Sequence, residues 1–186
     1  MPCLYIGTMS DRENEIISTV SYIQGKVGFR EPPFSLQAFF EAFPHYQLEA
    51  ARLPRGFHGE ILVKGDLRLV RYRVESKGPA VRFTIAHEIG HGFLHADEEF
   101  VCRISTTFRL FGKKPADPVE WEADYFAAEL LMPMPMVNRL ARKRLDAESL
   151  SAEAKRLARV FGVTVPLMRA RLKDLVRMRT FEAKMA

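Results

Sequence analysis

His87 and His91 stand four residues apart and enclose Glu88 in the stretch RFTIAHEIGHGFLH, which holds three of the five histidines in the chain. On a helix their imidazoles share one face, one turn apart, which suits two positions of a tetrahedral zinc ion. Glu88 is the next residue round the helix. It would lie beside such a metal and take a proton from water without being a ligand. Gly90, between the histidines, is a poor helix former, which points to close packing at that position. His95 continues the i, i+4 series, but eight residues of straight helix set it about 12 Å from His87 along the axis, too far to share one ion. The longer HExxHxxGxxH zinc motif is absent, because Leu94 and Asp97 stand where its glycine and last histidine belong.

A third ligand must therefore come from elsewhere. His45 and His58 fall in stretches without a clear pattern and are expected in turns or in solvent. Cys102 reads as a small buried hydrophobe rather than a ligand. The stretch PVEWEADYFAAELLMP is a better source. On a helix Glu120 and Asp124 share a face, while Glu122 projects about 160° away from Glu120. One carboxylate would bind the metal and another would orient a ligand histidine through its second ring nitrogen.

These residues need elements to hold them. SDRENEIISTVSYIQGKVG places Ile16, Val20 and Ile23 on one helical face, with Ser10 as N-cap and Gly25 near the end. SLQAFFEAF reads as a short helix ended by Pro44. The period then changes. Residues 57–74 alternate apolar and polar around Gly65-Asp66, the pattern of a β-hairpin. Gly78-Pro79 ends the second strand, and a helix is expected from residue 80 to about residue 95. ADEEFVCRISTTFRLFGKKPADP reads as a mixed loop with one short element. Helices follow over PVEWEADYFAAELLM and MVNRLARKRL, and two short ones in the tail.

Composition bounds the setting. The chain has 186 residues, 47% hydrophobic and 27% charged, ordinary for one globular domain with an appendage. Two cysteines do not make a secreted disulfide framework. The N-terminal residues lack the pattern of a signal peptide. The longest apolar run, YFAAELLMPMPMV, is interrupted and falls short of the roughly 18 residues a membrane span needs. A cytoplasmic protein without a membrane partner is expected. Charge is uneven: residues 1–138 carry 15 Lys and Arg against 18 Asp and Glu, whereas residues 139–186 carry 13 against 5. That asymmetry fits either an anionic partner or a solvated basic helical surface. Within the tail, SAEAKRLARVFGVTVPLMRARLKDL has helix-turn-helix spacing around Gly162, but Pro166 and Met168 fill the start of the would-be recognition helix. Packing on the preceding domain is the favoured expectation and DNA binding is not. Arg169, Arg171 and Lys173 are the cations through which a docking role would act.

The pair of motifs, RFTIAHEIGHGFLH followed by EWEADYFAAELLMP, resembles the ImmA/IrrE family of metallopeptidases over residues 82–133, and more loosely through the tail. The resemblance implies His87, His91 and Glu120 as zinc ligands, with Glu122 as the alternative to Glu120. It implies Glu88 as catalytic base and Asp124 as support for a ligand. It further implies an α+β, thermolysin-like zincin core over residues 1–138, with a small antiparallel sheet, and a basic helical, helix-turn-helix-like extension over residues 139–186. A strand beside the active-site helix would hold the substrate, and the hairpin of residues 57–74 is the candidate. The implied activity is a zinc endopeptidase that cuts a helix-turn-helix repressor or antitoxin-like protein controlling stress, phage or mobile-element genes. The alternative is a metal-sensing DNA-binding regulator with a structural zinc site.

Overall fold

The computed structural model describes residues 11–95, 101–103 and 117–185. Ser10 and Cys3 lie outside these residues, as does most of the stretch read as a mixed loop. The order of elements is α1 (Asp11–Val27), α2 (Leu36–Ala42), β1 (Tyr46–Ala51), β2 (Gly59–Lys64), β3 (Leu67–Arg73), α3 (Pro79–Leu94), β4 (Val101–Arg103), α4 (Pro118–Leu131), α5 (Met134–Leu140), α6 (Ala147–Phe161) and α7 (Val165–Met185). The class is α+β, as the sequence implies.

Local chemistry explains most boundaries. α1 buries Ile16, Val20 and Ile23, the expected face. Ser35 caps α2 by accepting from the Ala38 N–H at 3.1 Å. Asp117 caps α4 by accepting from the Val119 N–H at 3.0 Å, and Pro118 occupies the first turn, where no N–H is needed. Asp146 and Ser149 form a reciprocal capping box at the start of α6. α7 differs from expectation. It runs for 21 residues rather than as a short helix, because Pro166 sits in its tolerant first turn and nothing downstream breaks it.

The hairpin forms as read, with Lys64 opposite Leu67 across Gly65-Asp66. β1 is an addition. It pairs parallel to β3, and its burial pattern, ends buried and centre exposed, has no alternation for a sequence reading to detect. β4 pairs antiparallel to β2, so the strand order is β1-β3-β2-β4 and the sheet is mixed. That order corrects the role expected of residues 57–74. Both hairpin strands are flanked by neighbours, and a strand paired on both sides offers no free backbone to an extended peptide. Among the described residues the outer strands are β1 and β4.

α3 packs against α4 on one side and β2 and β3 on the other. Ten consecutive residues of it, Phe83 to Gly92, are buried, so it has no solvent face. Gly90 serves the close approach anticipated for it: a Cβ there would lie 3.0 Å from a ring carbon of Phe126 on α4. One continuous core joins Ile16, Phe39, Ile61, Ile89, Phe126 and, from the tail, Leu157 and Leu172. No helix among the described residues is long and apolar enough to cross a membrane.

The basic tail is tied into this body by its own guanidinium groups. Arg171 is only 2% exposed; it pairs with Glu129 of α4 and donates to the Met132 carbonyl at 3.0 Å. Arg179 donates to Asn138 and to the carbonyls of Arg142 and Lys143. Arg171 is therefore not a docking cation, whereas Arg169 and Lys173 are exposed. Removing one partner of a buried pair strands the other charge. Arg171→Ala is expected to lower unfolding free energy in urea by about 3–5 kcal/mol, and Arg169→Ala by no more than about 0.5 kcal/mol. Equal, small effects would contradict the burial-based distinction.

Candidate metal centre

Three side chains converge where α3 meets α4. Ligand atoms of His87, His91 and Glu120 all lie within 4.8 Å of one another. The Nε2 atoms of His87 and His91 are 2.8 Å apart, and each is 3.5 Å from a Glu120 carboxylate oxygen. Both histidines are buried, and Glu120 is 35% exposed, so the group opens to solvent on its carboxylate side. This is the trio that the sequence singled out.

The fit to a cation follows from the donors. His87 Nδ1 lies 2.9 Å from Asp124 Oδ1, so Nδ1 carries the hydrogen that a carboxylate requires and Nε2 is the nitrogen left for coordination. Two imidazole lone pairs facing each other at 2.8 Å repel unless a proton or cation sits with them. A proton can take that place. Burial opposes charge on His87, but hydrogen bonds to Asp124 and Glu120 outweigh it and push its pKa up to about 9. His91 goes the other way: burial, with the neighbouring His87 adding to it, holds it below the usual histidine range despite its hydrogen bond to Glu120. The site thus favours one positive charge flanked by carboxylates, with two nitrogens and an oxygen to hold it, which matches the donor set of a zinc-type centre.

Glu88 stands beside the trio. It is fully buried, and neither carboxylate oxygen has a hydrogen-bond partner among the described residues. Burial pushes its pKa up to about 8, with the nearby Glu120 and Glu60 adding to the rise against the opposing charge of His87. Its space is reserved by Gly59 at the start of β2, where a Cβ would come within 2.7 Å of Glu88 Oε1 and 2.6 Å of Thr84 Cγ2.

The remaining candidates resolve by location. Glu122, the alternative to Glu120, is not in the trio. It accepts from Arg12 of α1 at 2.6 Å and lies 2.9 Å from His95 Nε2. Burial works against its ionised form, yet the Arg12 and His95 hydrogen bonds keep its carboxyl below the usual range. His95 is excluded from the trio, as its rise along α3 requires, and contacts His91 through Nδ1 at 3.1 Å. His45 and His58 are exposed, His45 in a turn. Arg82 donates to the Phe34 carbonyl and lies beside Gly162. Tyr125 is stacked on Trp121. The links missed by sequence reasoning are those to Arg12 and from β2. The i, i+4 spacing of His91 and His95 was the one local signal for the first of these.

No curated protein matches the chain in a sequence search. A family model does: that of the IrrE N-terminal-like domain, Peptidase_M78, aligns with residues 37–173, which span α2 to the first part of α7 and include every residue of the trio. With well over half of its length matched, the chain belongs to the IrrE N-terminal-like, Peptidase_M78 family.

Proposed function

We propose that the chain is a zinc-dependent endopeptidase that hydrolyses a peptide bond in a protein substrate. The observation that carries this reading is the juxtaposition of the His87, His91 and Glu120 trio with a buried, unpartnered Glu88 carboxylate. In this reading His87, His91 and Glu120 hold the ion, and Asp124 holds the His87 ring. When bound, zinc supplies Lewis acidity, which acidifies water and polarises a carbonyl. Glu88 does the proton work. Its basicity, raised by burial, suits it to take a proton from water and later pass it to the leaving amine. Neither of its oxygens has a partner among the described residues, which leaves both for water or substrate.

The architecture supporting this chemistry is read as a zincin core of the thermolysin kind, with β4 at the sheet edge as the strand on offer to an extended peptide. The substrate class rests on the family resemblance: a helix-turn-helix repressor or antitoxin-like protein in the cytoplasm, cut to release stress, phage or mobile-element genes. A DNA-binding regulator with a structural metal is the weaker reading. Arg156, Arg171, Arg177 and Arg179 spend their guanidinium groups on partners within the chain, which leaves less of the tail's charge for phosphates. A structural metal would also leave the buried Glu88 without a use.

Two outcomes are expected. Glu88→Gln should retain zinc and the fold while peptide cleavage falls by about 10²–10⁴-fold, since an amide cannot take the proton; wild-type turnover would exclude Glu88 as base. The second concerns protons. At neutral pH and up to about pH 8 the chain without metal is expected to hold one on His87 and one on Glu88, while burial keeps His91 neutral. A dication requires neutral His87 and favours ionised Glu88, so uptake near neutral pH should release about two protons. Affinity should then rise with pH and level off above about 9. Zinc titration calorimetry in buffers of different ionisation enthalpy measures this, and uptake without proton release would contradict the assigned charge states.

A further inference from the structure

Behind His91, away from the trio, three polar side chains stand in line. His91 Nδ1 is 3.1 Å from His95 Nδ1, and His95 Nε2 is 2.9 Å from Glu122 Oε2. The same Glu122 oxygen accepts from Arg12 Nη2 at 2.6 Å. The line crosses three helices, from α1 through α4 to the end of α3.

With His95 a neutral imidazole, the hydrogens of the line run in one direction only. Arg12 donates and never accepts; an ionised carboxylate accepts and never donates. His95 Nε2 must therefore carry a hydrogen, because a bare nitrogen there would aim its lone pair at the Glu122 oxygen. A neutral imidazole with its hydrogen on Nε2 has a bare Nδ1, which is an acceptor. The facing Nδ1 of His91 then has to donate. Its own Nε2 is left bare, turned toward His87 Nε2 and Glu120.

We propose that His95 is a positioning residue for the metal centre: anchored by Glu122 and Arg12, it accepts the Nδ1 hydrogen of His91 and so fixes the tautomer and ring orientation that free Nε2 for a cation. Asp124 does the same for His87 directly. α4 thus sets the tautomers of both histidines, one through a carboxylate in contact and one through a carboxylate relayed by His95. Glu122 takes part without touching the ion, although a sequence reading makes it a rival ligand. The inference rests on the metal reading above.

The test separates the two. Long-range ¹⁵N–¹H NMR on the chain without metal, in solution above about pH 9 where His87 is neutral, reports each histidine's tautomer without zinc or substrate. The wild-type protein should show hydrogen on Nδ1 of His91 and on Nε2 of His95; the opposite assignment on either ring would overturn the proposal. His95→Phe should scramble the His91 tautomer while leaving that of His87 intact, and should weaken zinc binding by about 10–100-fold. His95→Gln, whose side-chain carbonyl can accept, should restore both in part. Glu122→Ala provides an independent route to the same loss should His95→Phe not fold. An unchanged His91 tautomer in folded His95→Phe, or a scrambled one with unaltered zinc affinity, would refute the positioning role. Failure to cleave any peptide, with these tautomers and affinities as expected, would count against the peptidase reading and leave the positioning role supported.

Discussion

Everything in this molecule depends on a helix that is buried on every side yet carries two histidines and a glutamate in its buried stretch. Such groups lose hydration when α3 is enclosed between the sheet and α4, and an uncompensated loss of this kind is among the larger penalties a core can carry. Compensation comes almost entirely from α4. Glu120 and Asp124 reach His87, Glu120 also reaches His91, and Glu122 reaches His95. The contact must be close for these short side chains to meet, and Gly90 against Phe126 lets the two helices approach. Glu88 is the exception, buried with no compensating partner among the described residues. A protein that retains so costly a group in its core has its stability set against its chemistry at that point.

Much of this was legible because it is local. The i, i+4 spacing of His87 and His91, the shared face of Glu120 and Asp124, and the Gly65-Asp66 turn each depend on a few neighbouring residues. What escaped depends on pairing across the chain. β1 shows no alternation, since only its two ends are covered. The interior position of the hairpin comes from β1 and β4 joining it on either side, from before and after it in sequence. Arg12 and Glu122 are 110 residues apart, and nothing near either residue announces the other. The length of α7 was underestimated for a different reason: Pro166 reads as an interruption until it is placed in a first turn.

The tail shows how a formal charge can mislead. An Arg-rich segment suggests a surface waiting for an anion, but a guanidinium also caps carbonyls and neutralises buried carboxylates, and here several do so. Arg171 is the extreme case, enclosed with Glu129 at the far end of the helix that bears Glu120. The segment's basicity is in good part internal bonding. The tail helices also share the apolar core with α3 and α4, so their contribution is packing as well as charge.

Gly59 bears on how this sequence can drift. Any side chain at that position meets Thr84 and Glu88 at once, so relief at one leaves the collision at the other. Trimming Thr84 to serine would remove the contacting methyl group but not the carboxylate. While Thr84 and Glu88 keep their side chains, any residue larger than glycine at the start of β2 forces both to shift, which couples position 59 to position 88, 29 residues on in the chain. A lineage that exchanged both Glu88 and Thr84 for smaller side chains would free residue 59 to vary, so a side chain opening β2 would mark a chain in which that carboxylate is no longer held in place.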